Sequence, residues 1–146
     1  MMRRMNTEDA RALLREEGYT LVACADGRVY TDRARGVAPL LALLDSGVSL
    51  AGGVAADRVV GRAAAYLYCL LGVREVYAAV VSLPALEVLE AGGVAVTFEL
   101  CVPAIRNRTG EGYCPMESAT RALPPTAAAE ALAVIRQTRE RLAGQS

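Results

Sequence analysis

The sequence predicts a single α/β domain that spans residues 1–146. Three patterns support this fold class: a β-hairpin near the N-terminus, a strand–helix–strand unit in the second half, and a broadly apolar helix between them. The hairpin is indicated by Asp26–Gly27, a favoured two-residue turn, between two strand-like runs. The strand–helix–strand unit implies parallel strands joined by a right-handed crossover. A chain of this length buries enough surface to fold without disulfides or metals.

The first elements follow from caps and periodicity. A helix is predicted from Glu8 to Glu17, after a capping Asn6 or Thr7, and Gly18 ends it. The remaining predictions place strands at 19–25, 28–31, 48–54, 74–81 and 94–102, and helices at 36–46, 82–90 and 125–142.

The segment from Leu50 to Gly72 is expected to organise the domain. Its apolar positions form a wide helical stripe, typical of a helix packed against a sheet. Asp57 is predicted to cap this helix, and Gly61 to lie inside it, at a place where a backbone segment or a ligand comes near. The simple interpretation is a buried crossover helix. The alternative is a ligand site at the helix start, where an anion would need a nearby cation because Asp57 repels it.

Composition limits the classes of function. The net charge is zero, and the chain has one Phe and no Trp, so neither a broad basic face nor stacking platforms for nucleic acid are expected. No apolar run reaches the length of a membrane helix, and the N-terminus does not resemble a secretory signal. We therefore expect a cytoplasmic protein that binds neither nucleic acid nor membrane. A homodimer is expected only because twofold dimers are the commonest oligomers.

The absence of His removes Ser-His-Asp triads, Cys-His pairs and His-ligated zinc from consideration. The cysteines, Cys24, Cys69, Cys101 and Cys114, include no CxxC pair. Cys69 and Cys101 lie in apolar segments and are expected in the core. No disulfide is expected in a cytoplasmic setting.

The segment 103–118 holds the densest cluster of polar residues. Arg106 and Arg108 are suited to fork onto a phosphate or carboxylate, while Asn107 and its neighbours could present amides to an anion. The alternative is a solvated loop whose arginines pair with Glu111 and Glu117.

Three residues are candidates for catalysis. Asp57 and Glu117 could form an acid–base pair across a cleft, although no spacing requires it. Cys114 could act as a nucleophile if an arginine lowered the pKa of its thiol, but a small packed side chain is the simpler role.

Two stretches resemble a known family: ADRVVGRAAAYL at 56–67 and VPAIRNRTGEGYCPME at 102–117, with VVSLPALEVLEAGGV between them. They look like a small family of uncharacterised bacterial and archaeal proteins with a cytidine-deaminase-like fold. The resemblance implies a three-layer α/β/α sandwich around a mixed sheet of about five strands.

Active deaminases carry zinc ligands at two helix starts: His or Cys followed by Glu at one, and Pro-Cys-x-x-Cys at the other. Here the corresponding positions offer Asp57 with Gly61-Arg62-Ala63, and Ser82-Leu83-Pro84-Ala85-Leu86. Because neither contains the ligand set, no metal site or cofactor is expected, and the fold carries over without the deaminase reaction.

Two hypotheses about function follow. The first is a non-catalytic module that binds a nucleotide or another anionic small molecule through Asp57, Arg106, Asn107, Arg108, Cys114 and Glu117. The second is a metal-independent enzyme that uses Asp57, Glu117 and possibly Cys114 on a nucleotide-like substrate. The position of Asp57 relative to the Cys114–Glu117 segment tests both hypotheses: a shared pocket keeps them, whereas opposite faces of the domain leave both without this set of site residues.

Overall fold

A computed structural model describes residues 5–107, 112 and 114–144 of the chain. The described residues form five strands and six helices. The strands are β1 (Leu21–Ala25), β2 (Arg28–Asp32), β3 (Val54–Val60), β4 (Glu75–Ser82) and β5 (Ala95–Val102). The helices are α1 (Thr7–Glu17), α2 (Ala38–Asp45), α3 (Arg62–Leu71), α4 (Leu83–Ala91), α5 (Pro115–Thr120) and α6 (Ala128–Ala143).

The strands form one mixed sheet in the order β2-β1-β3-β4-β5. β1 pairs antiparallel with both β2 and β3, and the remaining pairs, β3–β4 and β4–β5, are parallel. The predicted hairpin is confirmed, because β1 and β2 are joined at Asp26–Gly27, where both residues have positive φ. The predicted parallel crossover is also confirmed, because α4 connects β4 to β5.

Both faces of the sheet are covered by helices. In β1, Leu21, Ala23 and Ala25 belong to the main core, whereas Val22 and Cys24 belong to a smaller core on the other face. The smaller core contains residues of α1, and the main core contains residues of α2, α3, α4 and α6. The α/β class predicted from the sequence is confirmed at this level.

Helix α3 is buried along nearly its whole length, as its wide apolar stripe predicted. The predicted start of this helix is wrong, however. Asp57 lies inside strand β3, and the helix begins at Arg62 with Gly61 as its N-cap. The β-branched pair Val59–Val60 extends the strand beyond Asp57, so the carboxylate cannot cap the helix.

The close approach predicted at Gly61 is confirmed, but it is made by two side chains and not by the predicted backbone or ligand. A Cβ atom at this position would lie 3.2 Å from both the Glu117 Oε1 atom and the Ile105 Cγ1 atom. The neighbouring groups are protein groups, on α5 and on the loop that follows β5.

Three further predictions need correction. The strand expected at 48–54 begins only at Val54, and residues 48–53 form an irregular segment with a turn at 51–52. The helix expected from residue 125 begins at Ala128. The short helix α5 was not predicted, although Pro115 at its first position is a typical helix start.

In the described part of the chain, no helix is long and apolar enough to cross a membrane.

Candidate functional site

A cavity of about 460 Å³ opens between β3 and the segment that leads from β2 into α2. It combines one carboxylate with several guanidinium groups. Its lining residues are Thr20, Leu21, Arg33, Ala34, Arg35, Gly36, Pro39, Leu40, Asp57, Arg58 and Val59. We call this space the Asp57 cavity.

One wall of the Asp57 cavity is a loop fixed by local hydrogen bonds. The Thr20 hydroxyl lies 3.0 and 2.7 Å from the carbonyl oxygens of Asp32 and Ala34, and the Asp32 carboxylate accepts from the Ala34 amide at 2.8 Å. Gly36 then adopts a left-handed conformation (φ 74°) that a side chain would disfavour. These bonds, which involve no arginine side chain, help to hold the loop in place.

The three arginines of the cavity are held to different degrees. Arg33 donates from Nη2 to the Glu17 carbonyl at 3.0 Å, and its guanidinium lies 4.4 Å from the centre of the Tyr19 ring. Arg58 donates from Nε to the Tyr19 carbonyl at 2.7 Å. Arg35 is exposed and makes no hydrogen bond or ion pair within the described residues. Since a guanidinium has five N–H donors, each arginine keeps donors for another partner.

Asp57 is placed on the side of the sheet that α3 covers. Its Oδ2 atom accepts a 2.6 Å hydrogen bond from the Tyr68 hydroxyl of α3, and its Oδ1 atom accepts from the Val59 amide at 3.3 Å. Desolvation raises the pKa of Asp57 to about 6, although the bonds from Tyr68 and the local backbone amides act in the opposite direction. Burial, followed by the Asp57 charge, raises the pKa of Tyr68, so the phenol stays a hydrogen-bond donor.

Glu117, the second predicted acid, occupies a different environment. It is buried on α5, and its Oε1 atom accepts from the Arg62 amide at 2.6 Å and from the Ser82 hydroxyl at 3.3 Å. Its Oε2 atom accepts from the Ile105 amide at 2.6 Å. The carboxylate thus satisfies a free amide at the start of α3 and ties that helix to β4 and to the loop after β5.

The side chain of Arg62 adds to this connection. It donates to the carbonyls of Pro84 at 2.9 Å and Leu123 at 2.6 Å, and forms a 3.2 Å ion pair with Glu87. These contacts join α3 to α4 and to the segment before α6. Together, Arg62 and Glu117 fasten the helical layer where the strands end.

The other predicted site residues are close to Glu117 in the sequence, and the described ones do not line the Asp57 cavity. The half-buried Cys114 is the N-cap residue of α5, and its amide donates to the Ile105 carbonyl at 2.9 Å. Arg106 and Asn107 are exposed, and Asn107 bonds to Gly112 through its amide at 2.8 Å. Arg108 lies outside the described residues. None of the described members of this group lines the Asp57 cavity.

Metal-binding potential can be assessed for the described residues. No three His, Cys, Asp or Glu side chains among them are arranged to hold an ion. Cys24, Cys69, Cys101 and Cys114 are all free thiols. Cys69 and Cys101, predicted in the core, are partly buried and pack against it.

Sequence reasoning missed the arginines of the Asp57 cavity and the tyrosine that contacts Asp57. Arg33 and Arg35 alternate in the run TDRARG, directly after a strand, which is a pattern that could have indicated paired cations in a loop. Tyr68 gave no such signal, because its spacing from Asp57 becomes meaningful only once the strand and helix are packed.

The chain is similar to known proteins of one family. A family model described as a domain of unknown function, DUF1893, matches residues 9–138. The fold is similar to the crystal structure of a DUF1893 family protein from Thermotoga maritima, with a TM-score of 0.78 and 21% sequence identity over 92% of this chain and 88% of that chain. No curated protein matches the chain. Because the family model spans most of the sequence, the chain belongs to the DUF1893 family, whose function is unknown.

Proposed function

We propose that the chain is a non-catalytic module, built on a cytidine-deaminase-like scaffold, that binds a small anionic, nucleotide-like molecule in the Asp57 cavity. The scaffold proposal is supported by a hairpin followed by parallel strands in a mixed sheet with helices on both faces. The binding proposal is supported by one observation above all: Arg33, Arg35 and Arg58 line the same cavity.

The arginines supply what an anion needs near Asp57. A phosphate or carboxylate accepts paired hydrogen bonds from a guanidinium fork, and such charge-assisted bonds are stronger than neutral ones. Arg33 and Arg58 are oriented by backbone carbonyls, which lowers the entropy cost of using their remaining donors. Arg35 has no partner among the described residues to give up, so it is the arginine best suited to engage a ligand directly.

Asp57 gives the cavity a second kind of contact. Its carboxyl group can accept a hydrogen bond from an amino or hydroxyl group of a ligand, as the exocyclic groups of a base or sugar would offer. The volume of about 460 Å³ falls within the range of small-molecule sites. A ligand with an anionic end and a polar, uncharged end fits this arrangement of groups.

The proposal is tested by titrating the protein with nucleoside monophosphates, the matching nucleosides and inorganic phosphate, using calorimetry and thermal shift. Arg35→Ala removes a cavity guanidinium without disturbing a described contact. We expect it to weaken monophosphate binding about 5- to 30-fold, which corresponds to about 1–2 kcal/mol for one charge-assisted contact. Arg28→Ala, an exposed arginine of β2, is the matched control and leaves binding unchanged.

The same titration separates the two candidate locations. Arg106→Ala is expected to leave affinity unchanged if the Asp57 cavity is the site. A loss of affinity in Arg106→Ala, with Arg35→Ala unaffected, would return the site to the loop after β5. If neither the phosphates nor the nucleotides bind, the proposed function is wrong.

A metal-independent enzyme is the second candidate, favoured by the pKa of Asp57. A carboxyl group that titrates near pH 6 beside a cavity is suited to move a proton at physiological pH. Glu117 and Cys114 do not line that cavity, so such an enzyme would rely on Asp57. Turnover of a nucleotide that is abolished in Asp57→Asn and retained in Cys114→Ser would establish this alternative.

A further inference from the structure

Strand β5 forms an exposed, largely apolar edge of the sheet. It pairs with β4 on one side, and no described strand lies on its other side. It is eight residues long, and most of its residues are exposed. Phe98 and Leu100 are 44% and 54% exposed, although aromatic and branched residues in a sheet usually find partners.

The opposite edge of the sheet shows how such an edge is normally protected. Strand β2 has only five residues and places charges at both ends, Arg28 and Asp32. Short edge strands and charged side chains discourage association between chains. In contrast, β5 has a single charged residue, Glu99, and it contains no proline. An edge with these properties is suited to pair with another strand.

We infer that two copies of this chain associate through β5, antiparallel about a twofold axis at Phe98, and form a continuous ten-stranded sheet. The backbone groups on the outer side of β5 then gain partners, and the exposed apolar side chains are covered. Phe98 meets Phe98 of the second copy, and Leu100 faces Val96, which gives aromatic and aliphatic cross-strand pairs.

Two registers, with the axis at Phe98 or at Glu99, pair nearly the whole length of both β5 strands, and repulsion between charges favours the first. The twofold axis is perpendicular to the sheet and keeps each side chain on the same face. It must therefore lie midway between two copies of the same residue, which face each other directly. An axis at Glu99 would place the two Glu99 carboxylates directly opposite each other, which is unfavourable. An axis at Phe98 places Glu99 opposite Thr97 instead. Each Glu99 stays bound to Arg11 and Arg15 of its own chain, at 2.5 and 3.1 Å.

The size of the edge sets the expected strength of the dimer. Eight residues per chain are fewer than the roughly 20–30 of a standard interface. We therefore expect a concentration-dependent monomer–dimer equilibrium, rather than an obligate dimer. Light scattering after size exclusion and sedimentation velocity, run from about 5 to 500 μM, detect such an equilibrium.

Phe98→Lys is the decisive variant, because it places two cations opposite each other on the axis. We expect its dimer dissociation constant to rise at least about tenfold. Val29→Lys is the matched control, since Val29 is 47% exposed on the opposite edge strand, and its dimerisation should equal that of the unmodified chain. An unmodified chain that stays monomeric up to 500 μM, or a Phe98→Lys variant that dimerises normally, overturns the inference.

Cysteine cross-linking tests the register. In a background with Cys101→Ser and Cys114→Ser, Phe98→Cys places two thiols across the axis at a Cα separation of about 4.5–5.5 Å, within the range of a disulfide. We expect it to form an intermolecular disulfide on mild oxidation, whereas Glu99→Cys does not. A cross-link in Glu99→Cys without one in Phe98→Cys would show that the proposed axis is wrong.

Discussion

Replacing Asp57 by asparagine is expected to stabilise the protein at neutral pH. The carboxylate is desolvated between β3 and α3, and its pKa is raised to about 6. Folding therefore costs free energy whenever Asp57 must be ionised. Asparagine has nearly the same shape and can still accept the hydrogen bond from Tyr68, but it carries no charge.

The magnitude follows from the pKa. A rise of about two units above the ordinary value of 3.8 corresponds to about 3 kcal/mol at neutral pH, at 1.36 kcal/mol per unit. Asparagine has an NH₂ group in place of one carboxylate oxygen. Either the Tyr68 hydroxyl or the Val59 amide therefore loses its acceptor, which costs about 1 kcal/mol. We expect Asp57→Asn to be more stable by about 1–2 kcal/mol at pH 8.

The sign of the pH dependence is also fixed. Because the folded-state pKa exceeds the unfolded value, the native protein binds more protons than the unfolded chain between about pH 4 and pH 6. The stability contribution of Asp57 therefore falls as pH rises through this window. The advantage of Asp57→Asn should be large at pH 8 and vanish or reverse near pH 4.

Urea unfolding followed by far-UV circular dichroism measures this difference, since the chain has no Trp for fluorescence. Both proteins are unfolded at a series of pH values in buffers without phosphate, because phosphate is a proposed ligand. Other carboxyl groups titrate in both proteins and cancel in the difference. An Asp57→Asn variant that is less stable at pH 8, or a difference that does not change with pH, would refute the reasoning.

Three further predictions concern other contacts. Glu117→Gln leaves a buried amide donor unpaired and should lower the free energy of unfolding by about 2–4 kcal/mol. Glu87→Gln removes the charge of an exposed carboxylate whose partner, Arg62, is buried but keeps its bonds to two carbonyl oxygens, so it should change the free energy of unfolding by less than about 1 kcal/mol in the same urea titration. Gly53→Ala would overlap the Cys24 carbonyl oxygen and should lower the melting temperature strongly. Sulfate, whose charge is constant in this range, should bind more tightly at pH 5.5 than at pH 7.5, and Asp57→Asn should abolish that dependence in calorimetry.

Most of the fold was predictable because its signals are local. Asn6 and Ser82 are caps whose side chains accept from amides three residues later, as their positions suggested. Asp26–Gly27 fixed the hairpin for the same reason. The start of α3 was harder to predict, because Asp57 is compatible with both a helix cap and a strand. The deciding factor was pairing, since Asp57 lies between Leu21 of β1 and Ala78 of β4.

The candidate site was predicted only in part because its groups meet through the sheet. Asp57 was identified as an isolated acid in an apolar segment, and it does line a cavity. The cations predicted for it were Arg106 and Arg108, chosen because they cluster with other polar residues on the chain. The cations found beside it, Arg33 and Arg35, follow β2 and become neighbours of Asp57 only when β1 pairs with both β2 and β3.

The charges of the Asp57 cavity share a space without forming ion pairs. Had a guanidinium bonded to Asp57, the pKa of the carboxyl group would be lowered, whereas it is raised. No described ion pair joins Asp57 to Arg33, Arg35 or Arg58, and two of these arginines are turned toward backbone carbonyls instead. An ion pair between Asp57 and one of these arginines would occupy the groups that a ligand needs. Because Asp57 and the arginines stay apart, the guanidinium donors and the carboxyl group are available to different parts of one ligand.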